Sequence, residues 1–409
     1  MPLVNMKDML DHAYRHNYAV GAFAVVNLEF LQGVIAAAER CRAPVILSLE
    51  QPRFEPVDFG LLVAAGEYAA QRCSVPVAIH MHHGRDLACA VSAVNGGCNG
   101  VMVDASHRSL GDNIDVTREV VAMARGCGVP VEGKLGHVPA APGGAAPPDS
   151  EPVGYTAVAE ARGYVERTGV DFLAVSVGTV RGRTKARPKI NWQRLKQLNE
   201  ALGMPLTVYG GTGLTDSHYG RLIANGVAKI DYYTALAEAA FDQVRSTTKG
   251  AKGRYSSAMH AVQEAVERQT ETCLRLCGAA GRAAEVWQQC AHWAAVEQVV
   301  TQDVHGIDER GIEAVVDEGR RILSTIPGVR EVSGGEAVRE DEIFRCRWLV
   351  RFCNPAAIDS HREHPDYLTF LGRRSRPEQP AGAPTRRNAW GGPRTAETPP
   401  RLVSQGSRG

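Results

Sequence analysis

The sequence predicts an α/β fold: a (β/α)8 TIM barrel, then a small α+β ferredoxin-like unit, then a disordered C-terminal tail. Three observations carry this reading. Over the first 235 residues, eight short apolar runs alternate with amphipathic helical patterns, as parallel strands buried on both faces require. After residue 296 the rhythm changes to β-α-β-β-α, the order of a ferredoxin-like unit. From Arg376 onward Pro and Gly dominate, a composition that favours disorder. An open doubly wound sheet is the alternative for the first part, but no G-x-G-x-x-G follows the first apolar run,.

The eight runs are AVGAFAVV (19–26), PVILSL (44–49), PVAIHM (76–81), GVMVDAS (100–106), PVEGKLG (130–136), FLAVSVG (172–178), PLTVYGG (205–211) and AKIDYYT (228–234). Each is short, apolar and closed by Gly or a polar residue. Helical patterns such as 28–41, 113–128 and 159–169 separate them. The Pro/Gly/Ala stretch 137–154 reads as a long loop after the fifth strand, either a lid or disordered. Helices continue to about Ala294. A second pattern then gives a strand at 296–304, a helix at 307–326, strands at 330–338 and 344–352, and a helix at 355–373 broken by Pro365,. No closing strand is evident. The expected domains are therefore a barrel over 1–283, a linker helix over 284–295, a ferredoxin-like unit over 296–375 and a tail over 376–409.

Composition excludes several functions. The net charge is +1, with 44% hydrophobic and 22% charged residues, which gives no electrostatic case for nucleic acid or an anionic membrane. No run approaches the ~18–20 apolar residues of a membrane span. Lys7 and Asp8 interrupt any signal-peptide core,. The ten cysteines are irregularly spaced and include no C-x-x-C. The expectation is a cytoplasmic protein with reduced thiols.

Chemistry in such a barrel sits where the strands end. The residues to weigh there are His80, His82 and His83 in AIHMHHG (78–84), Asp104, Lys134, Arg181, Tyr209 and the turn YGGTGL (209–214). A Gly-rich turn exposes backbone N–H groups that can cradle a phosphate, and the loops after strands seven and eight are where barrels build phosphate sites. Arg181, Arg183 and Lys185 form a basic stretch near that turn, which reads equally well as a solvated loop.

The chain here resembles the class II fructose-bisphosphate aldolase family. The phrases that carry the likeness are LVNMKDMLDHAYRHNYAVGAF (3–23), VMVDASHRSLGDNI (101–114), VERTGVDFLAVSVGTVRG (165–182), YGGTGL (209–214) and LRLCGAAGRA (274–283), in that order. The resemblance implies a barrel that assembles as a dimer or tetramer. It also implies zinc-dependent, reversible aldol cleavage of a ketose bisphosphate to dihydroxyacetone phosphate and an aldehyde, with zinc polarising the ketone and a carboxylate moving the proton.

Residue by residue, the likeness breaks at the chemistry. The family's third strand ends His-x-Asp-His. Here the Asp, the acid/base, is His82, and His83 alone keeps a zinc-ligand position. The other two ligand positions hold Arg181 and Tyr209. A metal-site Glu on the fifth strand is Lys134, while Asp104, another metal-proximal carboxylate, is kept. Zinc needs at least three good protein ligands, so no cofactor is expected and zinc is disfavoured. Adjacent strand residues also point to opposite faces, which argues against His82 and His83 converging.

The phosphate half is better preserved. Gly182, Lys185, Gly210, Gly211, Thr212 and Thr234 match the family's phosphate pocket. Asp231 and Tyr233 replace polar positions there. Asp231 beside a dianion is unfavourable unless Lys185 or Arg183 offsets it.

Three readings of function remain open. The barrel is a metal-independent carbon–carbon lyase or aldolase-type enzyme on a small carbonyl or sugar-phosphate substrate, or a non-catalytic sugar-phosphate-binding scaffold, or a base for activity in the second domain. The first is favoured because every lost group has a polar or cationic substitute. Lys134 could form a Schiff base or act as a base, its pKa lowered by burial beside Arg181. His82 could carry the proton, Arg181 could stabilise an enolate, and Tyr209 stands in the same mouth. Asp149 or Glu151 in the loop could shuttle a proton. The second domain resembles the stress-responsive dimeric α/β-barrel (Dabb-like) family, through IPGV (326–329) and HREHPDYLTF (361–370). That likeness implies pairing into a homodimer, with His364 and Tyr367 either lining a small cleft or capping and packing a helix.

Overall fold

The computed structural model describes residues 3–50, 58–138, 154–180, 182, 188–248, 254–302, 308–336 and 346–372. After α1 (Met6–Arg15), strand and helix alternate: β1 (Val20–Ala24), α2 (Leu28–Cys41), β2 (Val45–Glu50), α3 (Phe59–Arg72), β3 (Val77–Gly84), α4 (Leu87–Gly96), β4 (Gly100–Val103) and α5 (Leu110–Gly126). The alternation continues through β5 (Val131–Leu135), α6 (Val158–Thr168), β6 (Phe172–Val175), α7 (Trp192–Leu202), β7 (Leu206–Val208), α8 (Asp216–Ala224) and β8 (Val227–Tyr232). The eight strands are parallel and close, β8 pairing with β1 through Val20↔Lys229 and Phe23↔Tyr232. The barrel expectation holds.

Local chemistry explains why the chain turns from strand to helix after most of the strands. Asn27, Asp86, Ser109, Asn191 and Thr215 each cap the following helix, their side-chain oxygens accepting from backbone N–H groups of the first turn. Those N–H groups have no partner inside the helix. Helices α9 (Thr234–Thr248), α10 (Tyr255–Leu276) and α11 (Ala283–Gln289) follow, with α10 packed along α2 and α9.

The second unit is a three-stranded antiparallel sheet with helices on one face. Its elements are β9 (Val296–Gln302), α12 (Glu309–Leu323), β10 (Val329–Glu336), β11 (Cys346–Phe352), α13 (Ala356–Glu363) and α14 (Pro365–Gly372). Strand order is β10-β11-β9, and the break at Pro365 falls where the sequence places it. Among the described residues no fourth strand closes the sheet. Trp348, fully buried, anchors this unit: its indole N–H donates to the Val316 carbonyl at 3.0 Å, and its ring packs edge-on against Phe370. The tail over 376–409 and most of the loop 137–154 lie outside the described residues.

The two units share a polar junction at the ends of α4 and α5. The Arg330 guanidinium grips both carboxylate oxygens of Glu67 and donates to the Gly96 carbonyl at 3.0 Å. The Asn95 amide donates to the Ser324 and Ile326 carbonyls and accepts from the Gly328 N–H. The Asn354 amide donates to the Cys127 carbonyl. These contacts lie at the turns leading into β4 and β5, so the second unit stands at the rim opposite the strand ends. Among the described residues no helix is long and apolar enough to cross a membrane.

Candidate active site

The mouth is organised by a bulge in β3. The β3–β4 register shifts between Met81 and Gly84, and His83 lies at φ 54°, a conformation that costs an L-residue of order 1–3 kcal/mol. Gly84 is required beside it: a Cβ there would stand 2.3 Å from Met81 Cε and 2.6 Å from the Met102 carbonyl oxygen. The bulge overturns the expectation that His82 and His83 diverge. Their ring centroids are 4.1 Å apart, and both line one cavity of about 100 Å³, because an extra residue in a strand re-aims the side chains around it.

Asp104 directly follows β4 and gathers three donors. His83 Nδ1 lies 2.5 Å away and Lys134 Nζ 2.7 Å away, both on Oδ2, and Ser106 Oγ donates to Oδ1 at 2.7 Å. Burial works to raise the Asp104 carboxyl, but the His83 hydrogen bond and the Lys134 charge outweigh it and hold the group well below the usual carboxylate range,. Lys134 is thereby the cation of an ion pair. The sequence reading names this lysine as a Schiff-base or general-base candidate, and the structure places its ammonium on Asp104. Asp104 and Lys134 stand behind His83 and are not among the residues lining the cavity.

Tyr209 forms the floor. Its ring lies 5.2 Å from His82 and 5.5 Å from His83, its hydroxyl is 2.8 Å from Met102 Sδ and 3.3 Å from Glu132 Oε1, and the Lys134 ammonium sits 5.3 Å from the ring centroid. Below it is an ionic layer that the sequence reading did not identify. Lys229, wholly buried, contacts Glu132 Oε2 at 2.9 Å and both Asp231 oxygens at 3.0 Å. Burial works against the ammonium, but Asp231 and Glu132 raise its pKa overall. Lys229 thus offsets the Asp231 charge from within the barrel. A lysine inside a run of buried strand residues was the available signal, since such a charge must be paired. His80, with its pKa lowered well below the ordinary value by burial and then by the Lys229 charge, stays in this layer with Nε2 3.8 Å from Glu132.

The Gly-rich turn follows β7. Gly210 lies at φ 81°, and a Cβ there would come 2.1 Å from the Val180 carbonyl oxygen. Thr212 Oγ1 accepts from the Ala235 N–H at 3.2 Å, tying the turn to the start of α9, and Tyr219 donates to the Gly211 carbonyl. Gly182, Gly210, Thr212 and Thr234 line the same cavity as His82, His83, Tyr209 and Asp231. Glu50 on β2 and Tyr233 join them, and neither Glu50 nor Lys229 was singled out from the sequence. Burial and then the Glu50 charge raise the Tyr233 phenol. Arg181, Arg183, Lys185, Asp149 and Glu151 lie outside the described residues.

Among the described residues no group of three or more His, Cys, Asp or Glu side chains is arranged to hold a metal ion. In the second unit, His364 Nδ1 accepts from the Asp366 N–H at 3.2 Å, a capping role for α14, and Tyr367 packs on the buried His361 ring at 4.3 Å.

Comparison with known proteins places residues 4–282 in the family model described as fructose-bisphosphate aldolase class-II. A fructose-bisphosphate aldolase of Staphylococcus epidermidis is 33% identical over 290 residues, covering 69% of this chain and all of that protein. One from Geobacillus stearothermophilus is 37% identical over 239 residues, covering 57% of this chain and 82% of the relative. Among solved structures, the YdjI aldolase from Escherichia coli K12 superposes with a TM-score of 0.61 at 31% identity, covering 69% of this chain and 99% of that one.

Proposed function

Because this chain belongs to the class II fructose-bisphosphate aldolase family, we propose that its barrel makes or breaks a carbon–carbon bond beside the carbonyl of a small carbonyl or sugar-phosphate substrate, without zinc. The observation that carries this reading is the triad at the mouth. Asp104 is held by Lys134 on one side and engages His83 Nδ1 on the other, an arrangement that fixes an imidazole's orientation and tautomer. The side chains present do not suit zinc. Of the three imidazoles the family likeness calls for, one is Tyr209 and another Arg181, and an ammonium stands on the carboxylate that would face the ion,.

In the cleavage direction, His82 or His83 takes the hydroxyl proton of a β-hydroxy carbonyl. The carbon–carbon bond breaks, releasing an aldehyde, and the electron pair passes to the carbonyl oxygen as an enolate. The protonated imidazole then returns its proton to the enolate carbon. Lys134 acts as a fixed positive charge near the site, and Arg181 is the sequence-based candidate for the enolate oxygen. The turn Gly210–Thr212, with Gly182, Lys185 and Thr234, would bind a phosphate.

The test is a panel of ketose and aldose phosphates, with product aldehyde measured in the presence of a chelator alongside metal analysis. Cleavage that survives chelation and falls ~10²-fold or more in His83→Ala and Lys134→Met supports the proposal. Stoichiometric zinc with activity abolished by chelator overturns it. Binding without turnover supports the second reading, a sugar-phosphate-binding scaffold, which the Tyr209 ring filling the floor of a small cavity favours. For the second unit the proposal is a dimerising module of the stress-responsive α/β-barrel type. Val299 and Leu349, exposed and paired across β9 and β11, support it, and sedimentation of wild type against Val299→Glu tests it through the dimer's loss.

A further inference from the structure

We propose that Cys127 and Cys353 form a reversible disulfide that staples the second unit to the barrel. Cys127 follows α5 in the barrel, and Cys353 follows β11 in the second unit; both are buried. Their sulfurs crowd one point: a Cβ placed on Gly328 would lie 3.1 Å from Cys127 Sγ and 3.6 Å from Cys353 Sγ. The backbone on both sides is pinned. The Cys353 N–H donates to the Gly328 carbonyl at 2.8 Å, the Cys353 thiol reaches the Cys127 carbonyl at 3.8 Å, and the Asn354 amide holds that same carbonyl. Two buried cysteines whose sulfurs both lie beside Gly328, one from each unit, are placed as partners for a bridge across the junction,.

The site also separates the roles of the two sulfurs. The hydrogen bond from Cys127 and the charge of Arg330 lower the Cys353 pKa although burial opposes them, whereas the same thiol–thiol bond and then burial raise Cys127. With the Arg330 cation on its own unit acting on it, Cys353 is assigned as the sulfur that attacks first,. The oxidant is a low-molecular-weight disulfide. The Cys353 thiolate displaces one small thiol to give a mixed disulfide. The Cys127 thiolate then attacks Cys353 Sγ and releases the second small thiol. Two protein thiols are oxidised and one small disulfide is reduced to two thiols. Access requires transient opening of the junction, since neither sulfur is exposed.

The experiment uses the full chain, equilibrated in glutathione–glutathione disulfide buffers from reducing to oxidising, then acid-quenched, unfolded, alkylated and digested with trypsin. The expected product is a peptide carrying Cys127 joined to one carrying Cys353, lighter than the free pair by two hydrogens and separated again by dithiothreitol. In Cys353→Ala that product is missing, and Cys127 is recovered alkylated. Recovery of Cys127 and Cys353 both alkylated at every buffer ratio overturns the proposal, as does linkage of Cys353 to Cys98 instead. A second readout follows amide exchange in β9 and β11. The oxidised protein should exchange there at least ~10-fold more slowly than the reduced one, and equal rates would overturn the stapling role.

Discussion

Lys229 and Glu132 meet in the barrel interior with no exposure at either side chain. Removing one partner of such a pair leaves the other charge buried and uncompensated. Lys229→Met should therefore cost about 3–5 kcal/mol in urea unfolding, and adding Glu132→Gln should restore part of the loss. His361 gives a pH signature. Burial, then His364 and Arg362, lower its pKa from 6.5 to about 4. Above pH 6.5 the group is neutral in both states and contributes nothing. As pH falls from 6.5 toward 4, the unfolded chain takes up a proton that the folded one refuses, and stability drops by up to ~3 kcal/mol. Unfolding free energies at pH 7 and pH 4.5 should differ by about 2 kcal/mol less in His361→Phe than in wild type. At this scale the sequence was readable in part. His82, His83, Tyr209 and Gly210 of the turn after β7 are recognisable by their place at strand ends, and they do share a cavity. Lys229, Glu132 and Glu50 were not, because which strand residues face each other inside a closed barrel depends on stagger, which no local pattern encodes.

Whole elements were easier to read, since period and punctuation are local. All eight barrel strands fall where apolar runs stand, the three described strands of the second unit fall where the sequence places strands, and α2 spans the expected 28–41. The exception is the end of β3. A period of two says His82 and His83 part ways, and only the shift against β4 reverses that. Bulges are set by the neighbouring strand, so the residue's own sequence stretch is silent about them. The turn after β7 makes a separate claim. Gly210→Ala forces a Cβ to 2.1 Å from the Val180 carbonyl at a left-handed φ. It should destabilise the protein by roughly 2 kcal/mol or more. It should also remove any rise in melting temperature produced by inorganic phosphate, which differential scanning fluorimetry would register in the wild type alone.

At the scale of the molecule, the junction was the feature the sequence withheld. The domain boundary near 296 is visible as a change of rhythm, but where the second unit docks depends on pairings such as Arg330 with Glu67, 263 residues apart. Arg330→Ala should leave barrel amides protected while exchange in β9–β11 speeds up by about 30-fold or more, the equivalent of roughly 2 kcal/mol. Hydrogen–deuterium exchange by mass spectrometry would resolve the two regions.

The carbonyls at the ends of α4 and α5 sharpen that point. Gly96 hands its oxygen to Arg330, and Cys127 hands its own to Asn354. Both receivers come from beyond residue 296. A helix cannot satisfy its last carbonyls by itself, and its terminal partial charge is negative. The appendage therefore finishes two of the barrel's own helices, and at α4 does so with a cation where the dipole calls for one,. What reads along the chain as a graft has become obligate in space: a shortened protein ending before Val296 would fray at the ends of α4 and α5.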